Sequence, residues 1–134
     1  MNNNIKVRQV TMEDYKQIDS WYKKRKELRP KITILPGNGL GGFIVEKNGE
    51  PIAVIYLYLT NSNMGYIDNL ISDPSYISKD RFIIIIELIA ACKQMALDVG
   101  CTDIWAISNS KGIIKRCEKL QYNISKNNYA IISI

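Results

Sequence analysis

The feature that most constrains the fold is the stretch from residue 66 to residue 107. Tyr66-Ile67-Asp68-Asn69-Leu70-Ile71 reads as a strand that Asp73-Pro74 must end, because proline cannot continue a hydrogen-bonded ladder. About twenty residues without glycine or proline follow, from Ser78 to Val99, and Gly100 then stands where a helix C-cap favours glycine. Within them Phe82-Ile83-Ile84-Ile85-Ile86 has high β-propensity, but the continuation from Glu87 to Leu97 is helix-forming, and the length favours one buried helix. Asp103-Ile104-Trp105-Ala106-Ile107 is a strand again. A strand, a long helix and a second strand make a crossover, which joins parallel neighbours of one sheet.

The N-terminal part predicts antiparallel structure. Ile5-Lys6-Val7-Arg8 alternates as a half-buried strand, and Thr11-Met12-Glu13-Asp14 supplies an N-cap with a carboxylate three residues on. A helix is expected from about Met12, with Tyr15, Ile18, Tyr22 and Leu28 on its apolar face and Pro30 as its stop. Asn48-Gly49 lies between apolar strands over 43–47 and 52–59, the strongest short hairpin signal, and the polar turn Asn61-Ser62-Asn63 leads into the strand at 66–71. Beyond residue 107, Asn109-Ser110 caps a short helix through Leu120, and 129–134 reads as a final strand. The predicted fold class is α/β (α+β): a mixed central sheet with an antiparallel N-terminal meander, a parallel pair and flanking helices. At 134 residues it forms a single domain over 1–134.

Composition removes several chemistries. The chain has no histidine, so imidazole acid–base catalysis and Ser-His-Asp or Cys-His nucleophiles are excluded. Cys92, Cys101 and Cys117 show no C-x-x-C spacing, which predicts reduced thiols and no metal site. No apolar run approaches the roughly 20 residues of a membrane-spanning helix. The start of the chain lacks an apolar h-region, so a cytoplasmic location is expected. The net charge of +5 suits an anionic ligand. The run Lys23-Lys24-Arg25-Lys26 reads as a solvated helix face, without a nucleic-acid motif beside it. Gly37-Asn38-Gly39-Leu40-Gly41-Gly42 satisfies G-x-G-x-x-G, but Phe43-Ile44-Val45-Glu46 after it is a strand where a dinucleotide site needs a helix; a flexible loop is expected instead.

The order strand, helix, three-strand meander, long helix, strand, short helix, strand resembles the Gcn5-related N-acetyltransferase (GNAT) superfamily over nearly the whole chain. The run Tyr66 to Pro74 is similar to that family's fourth strand and its V-x-P turn, and Arg116-Cys117-Glu118-Lys119-Leu120-Gln121-Tyr122 is similar to its Y-E-K-L-G-F signature, with cysteine for tyrosine and glutamine for glycine. Short phage and prophage members are the nearest in flavour.

The resemblance implies an acetyl-CoA-dependent N-acetyltransferase acting on an amine, of a small molecule or a protein, with no metal and with a homodimer left open. It implies that the fourth and fifth strands splay and admit the pantetheine arm, along the backbone of Leu70 and Ile71 and near Asn109. Pyrophosphate would lie at the start of the long helix, over Ser78, Lys79, Asp80, Arg81 and Phe82. There the family's Q/R-x-x-G-x-G/A loop is replaced: Asp80 and Phe82 add bulk, and Lys79 and Arg81 offer side-chain phosphate contacts. Asp80 is also a good N-cap residue, so it is expected to cap that helix itself. Asp68 stands where the family keeps a base, Cys117 where it keeps the acid for the leaving thiolate, and Tyr122 close enough in sequence to substitute. The replaced loop and missing tyrosine also fit an alternative, a fold kept for binding without turnover.

Overall fold

The computed structural model describes residues 4–108, 111–122 and 124. The expected strand at 129–134 and the residues Asn109 and Ser110 lie outside these. Among the described residues, one five-stranded sheet runs in the order β1 (Ile5–Gln9), β2 (Gly42–Lys47), β3 (Glu50–Leu59), β4 (Met64–Ser72), β5 (Asp103–Ala106). The first four are antiparallel neighbours, and β5 is parallel to β4, as the crossover requires. The crossover is α2 (Arg81–Asp98), so the isoleucine run is helical despite its β-propensity. Tertiary burial decides this: Ile84, Ile85, Leu88, Cys92 and Ala96 form one buried stripe at helical spacing.

The two sheet faces carry separate cores. Val45, Ala53, Ile55, Leu57 and Ile67 meet α2, whereas Ile44, Val54, Tyr56 and Ile71 meet Ile18 and Trp21 of α1 (Tyr15–Lys24). Each fully buried aliphatic side chain here is worth roughly 1.5–3 kcal/mol.

The hairpin forms as read: Asn48 and Gly49 have φ of 54° and 80°, the left-handed pair that a type I′ turn requires. The first helix departs from expectation. Met12–Asp14 is a 3-10 turn, held by Asp14, whose carboxylate accepts from the Thr11 N–H at 2.7 Å and from Arg8. The α-helix then ends at Lys24, well before Pro30, and Leu28 is 96% exposed. Lys26 takes φ 57°, with Lys26 N–H bonding Lys23 O and Glu27 N–H bonding Tyr22 O. That is a Schellman motif, and it makes Arg25 the C-cap. Nor is the glycine-rich segment a loose loop. It folds as a tight turn over Pro36–Gly39, with Gly37 and Asn38 both left-handed (φ 59° and 51°), whose Gly39 carbonyl accepts from Tyr15 Oη at 2.5 Å. Gly42 lies so close to the Tyr56 ring that a Cβ there would come within 2.7 Å of it.

α3 (Lys111–Lys119) also ends in a Schellman motif, with Gln121 N–H on Glu118 O and Tyr122 N–H on Cys117 O. Gln121, at the position of the signature's glycine, has φ 63°. Among the described residues, no helix is long and apolar enough to cross a membrane.

Candidate active-site cleft at the open edge of β4

β5 accompanies β4 for only part of its length. The parallel register runs from Met64↔Asp103 to Ile67↔Ala106, whereas β4 continues to Ser72. Past Ile67, the β4 edge that faces away from β3 has no strand partner among the described residues. The candidate cleft lies along that open edge, beyond the last residue of β5.

A β-bulge shapes the edge. Tyr56 pairs with Asp68 and Val54 with Ile71, so Ile55 stands opposite two residues of β4, Asn69 and Leu70. Asn69 takes φ 58°, which asparagine tolerates better than other side chains, and its amide donates to Tyr58 Oη. The extra residue reverses the alternation of the strand. Ile67 and Leu70 both join the α2 core, while Ile71 joins the α1 core.

Asp68 is half-buried on the α1 side of β4, where Tyr66 Oη donates to its Oδ2 at 3.1 Å. Tyr66 is the cross-strand partner of Tyr58, and their ring centroids lie 6.0 Å apart. Burial and the Asp68 carboxylate push the Tyr66 hydroxyl up to about 12, so it remains a proton donor at neutral pH. Burial raises Tyr58 as well. Deeper in the same face, Tyr56 Oη and Tyr15 Oη are 2.9 Å apart. Asp68 thus sits on a floor of tyrosines.

At the start of α2, Ser78 and Lys79 are exposed, and Asp80 is the N-cap residue. The expectation that Asp80 caps the helix is not met: its side chain makes no cap hydrogen bond, and its carboxylate pairs with Lys47 of β2 and accepts from Tyr76 Oη at 2.6 Å. The cation across the hairpin wins over the helix's own N–H groups, a charge-assisted bond against a neutral donor. Arg81 turns to Ser72, donating Nη2 to its Oγ at 2.7 Å. Phe82 packs on α3, where only glycine fits: a Cβ on Gly112 would come within 2.7 Å of the ring. The Arg116 guanidinium lies 5.7 Å from the Phe82 centroid.

Asp68, Cys117 and Tyr122 do not converge. Cys117 is half-buried on α3, with its thiol pushed up by burial. The Tyr122 ring lies under Lys93 of α2, 4.9 Å from Nζ, in the layer on the other side of the sheet from Asp68. Sequence reasoning missed Tyr58, Tyr66, Asn69 and Ser72. The signal for the first two was their same-face position on strands joined by a short turn; an asparagine within a strand pattern was the signal for the third.

No protein-family model and no curated protein sequence matches the chain. Solved structures do. The N-acetylglutamate synthase from Neisseria gonorrhoeae, complexed with coenzyme A and N-acetyl-glutamate, aligns with a TM-score of 0.70 at 18% identity over 89% of this chain, which spans 28% of that protein. AAC(6′)-Iy in complex with a bisubstrate analogue, CoA-S-monomethyl-acetylneamine, aligns with a TM-score of 0.69 at 15% identity, over 98% of this chain and 99% of the other. A Trypanosoma brucei acetyltransferase aligns with a TM-score of 0.64 at 15% identity, over 96% and 99%. At such identities the likeness is one of fold. With its parallel β4/β5 pair at the end of an antiparallel meander and helices on both faces, the chain has the GNAT acetyltransferase fold.

Proposed function

We propose that the chain is an acetyl-CoA-dependent N-acetyltransferase for an amine acceptor, and the observation that carries this is the unpaired, bulged C-terminal half of β4 with Asp68 beside it. The open edge fits an extended, amide-bearing arm: backbone groups of Leu70 and Ile71 would hold pantetheine as an added strand, with Asn109 contributing from after β5. The start of α2, uncapped by any side chain, suits an anion, with Ser78 and Lys79 exposed beside it. Acetyl-CoA, when bound, supplies an activated acetyl thioester.

The chain's own residues then handle protons. Asp68 takes the proton of the acceptor ammonium, directly or through one water, and Tyr66 keeps the carboxylate oriented by its hydrogen bond. Cys117, on α3 and not brought together with Asp68, is left out of this scheme, and the departing thiolate takes its proton from solvent. Tyr122, held by Lys93, is left out as well.

A second reading, a fold retained for CoA-like binding without turnover, is favoured by the Lys47–Asp80–Tyr76 network and by Phe82, which fill the helix start. Calorimetric titration with acetyl-CoA and CoA, followed by thiol release in the presence of an amine panel, decides between them. Under the transferase reading, Asp68→Asn lowers kcat/KM by about 100-fold or more at unchanged CoA affinity. Binding without thiol release from any amine selects the second reading, and absence of binding removes both.

A further inference from the structure

Two arginines meet at the end of β4. Arg25, the C-cap of α1, donates Nε to the Ser72 carbonyl at 2.9 Å and Nη2 to Ser72 Oγ at 2.9 Å. Arg81, the first residue of α2, donates Nη2 to the same Oγ at 2.7 Å. Ser72 is 5% exposed, and the hydroxyl's two acceptor sites are both taken by guanidinium groups.

Among the described residues, no carboxylate pairs with these two arginines. Arg8 has Asp14 and Glu46, and Arg29 has Asp19, but none of the described carboxylates lies within 4.0 Å of Arg25 or Arg81. The residues outside the description contain no aspartate or glutamate. Two like charges sharing one hydroxyl repel, and each guanidinium keeps N–H donors in a planar fork that matches an oxyanion.

The pair also faces the cleft. The Asp73 N–H bonds Ile52 O of β3 at 2.7 Å. Across a planar trans peptide the N–H and the preceding carbonyl point in opposite directions, so the Ser72 carbonyl is turned to the open edge of β4, and Arg25 stands there with it.

We infer that Arg25, Arg81 and Ser72 form an oxyanion-binding site at the mouth of the cleft, which takes a carboxylate or phosphate of a ligand lying along the open edge of β4. The site stands on its own geometry, while its assignment to a transferase ligand rests on the function proposed above. Its oxyanion comes either from the diphosphate of the cofactor or from an acidic group of the acceptor.

The test is calorimetric titration of the full chain with inorganic pyrophosphate, succinate, CoA and pantetheine, using wild type, Arg25→Gln, Arg81→Gln and the double variant, with thermal melts as a folding control. Wild type should bind pyrophosphate or succinate in a salt-dependent manner, each single variant at least 10-fold more weakly, and the double variant not at all. Loss of CoA affinity in the variants with pantetheine unaffected identifies the cofactor as the source. Unchanged CoA affinity with loss of succinate binding identifies an acidic acceptor. Should a glutamine variant not fold, Arg25→Lys and Arg81→Lys keep the charge but remove the fork, and are expected to bind the same probes at least 5-fold more weakly. Equal binding of pyrophosphate and succinate by wild type and folded variants overturns the site, even where CoA binds and the transferase reading survives. Arginine-dependent pyrophosphate binding without CoA binding keeps the site and removes the transferase reading.

Discussion

Lys47 of β2 and Asp80 at the N-cap of α2 form an ion pair, and Tyr76 holds the other oxygen of the same carboxylate. The hairpin is thereby tied to the start of the long helix. The Lys47 bond, with Ser78 and Tyr76, keeps the Asp80 carboxyl far below the usual carboxylate range. A depressed folded-state value adds stability above the unfolded pKa of about 4, and that stability is lost as pH falls further. The wild-type melting temperature should therefore drop between about pH 5 and pH 2 more than that of Asp80→Asn. The pair is partly exposed, so 0.5 M salt should shrink the difference. Parallel melting curves for the two proteins at every pH would refute this role.

Lys26 and Gln121 occupy the left-handed position of two Schellman motifs, whereas Gly100, with φ 101°, does so at the end of α2. A side chain in this conformation costs roughly 1 kcal/mol relative to glycine. Lys26→Gly and Gln121→Gly should each raise stability by about 0.5–1 kcal/mol in urea unfolding, additively because the sites are far apart. Gln121→Gly should do so without changing CoA affinity.

Asn69 combines a left-handed backbone with a bond to Tyr58. Asn69→Gly keeps the conformation and loses the bond, so its cost should stay near 1 kcal/mol. Asn69→Ala loses both and should cost about 2 kcal/mol or more, because the strand can then slide its alternation by one residue; under the proposed transferase function, acetyl transfer should be lost with it. Equal stability of the two variants would show that the bulge does not depend on this residue.

Burial pushes Tyr22 up to about 12, as it does Tyr66, and pushes Tyr56 higher still. These raised values favour the folded state below the unfolded pKa of about 10 and withdraw that support as pH climbs through the folded values. Tyrosinate absorbance should show a late, cooperative phase that coincides with loss of ellipticity. A single phase completed while the helices persist would contradict the buried positions.

The crossover and the hairpin were legible because each rests on local chemistry: Pro74 and Gly100 bracket the helix, and Asn48-Gly49 admits few turns other than type I′. The end of α1 was not, because Lys26 bears none of the residue preference that marks a left-handed C-cap, and Pro30 offered a stronger stop that the helix never reaches. Asp68 and the start of α2 were singled out as candidates through resemblance, yet their partners were hidden. Tyr58 meets Tyr66 only through strand register, and Lys47 reaches Asp80 only once the hairpin lies beside α2. Arg25 was read as part of a solvated basic run, since nothing in the sequence shows that the helix ends one residue before it and turns its side chain inward.

The shortness of β5 beside β4 bears on traffic along the open edge. A sheet that had to unzip to admit an extended molecule would trade its own ladder bonds for new ones and would open slowly, as local unfolding does. Here the register with β5 ends at Ile67. An arm laid against residues 70–72 therefore displaces no strand among the described residues, and meets the Arg25 and Arg81 side chains at Ser72. Loading and unloading are thus decoupled from the breathing of the sheet, and exchange should run at side-chain speed while the backbone amides of β3 and β4 stay protected throughout.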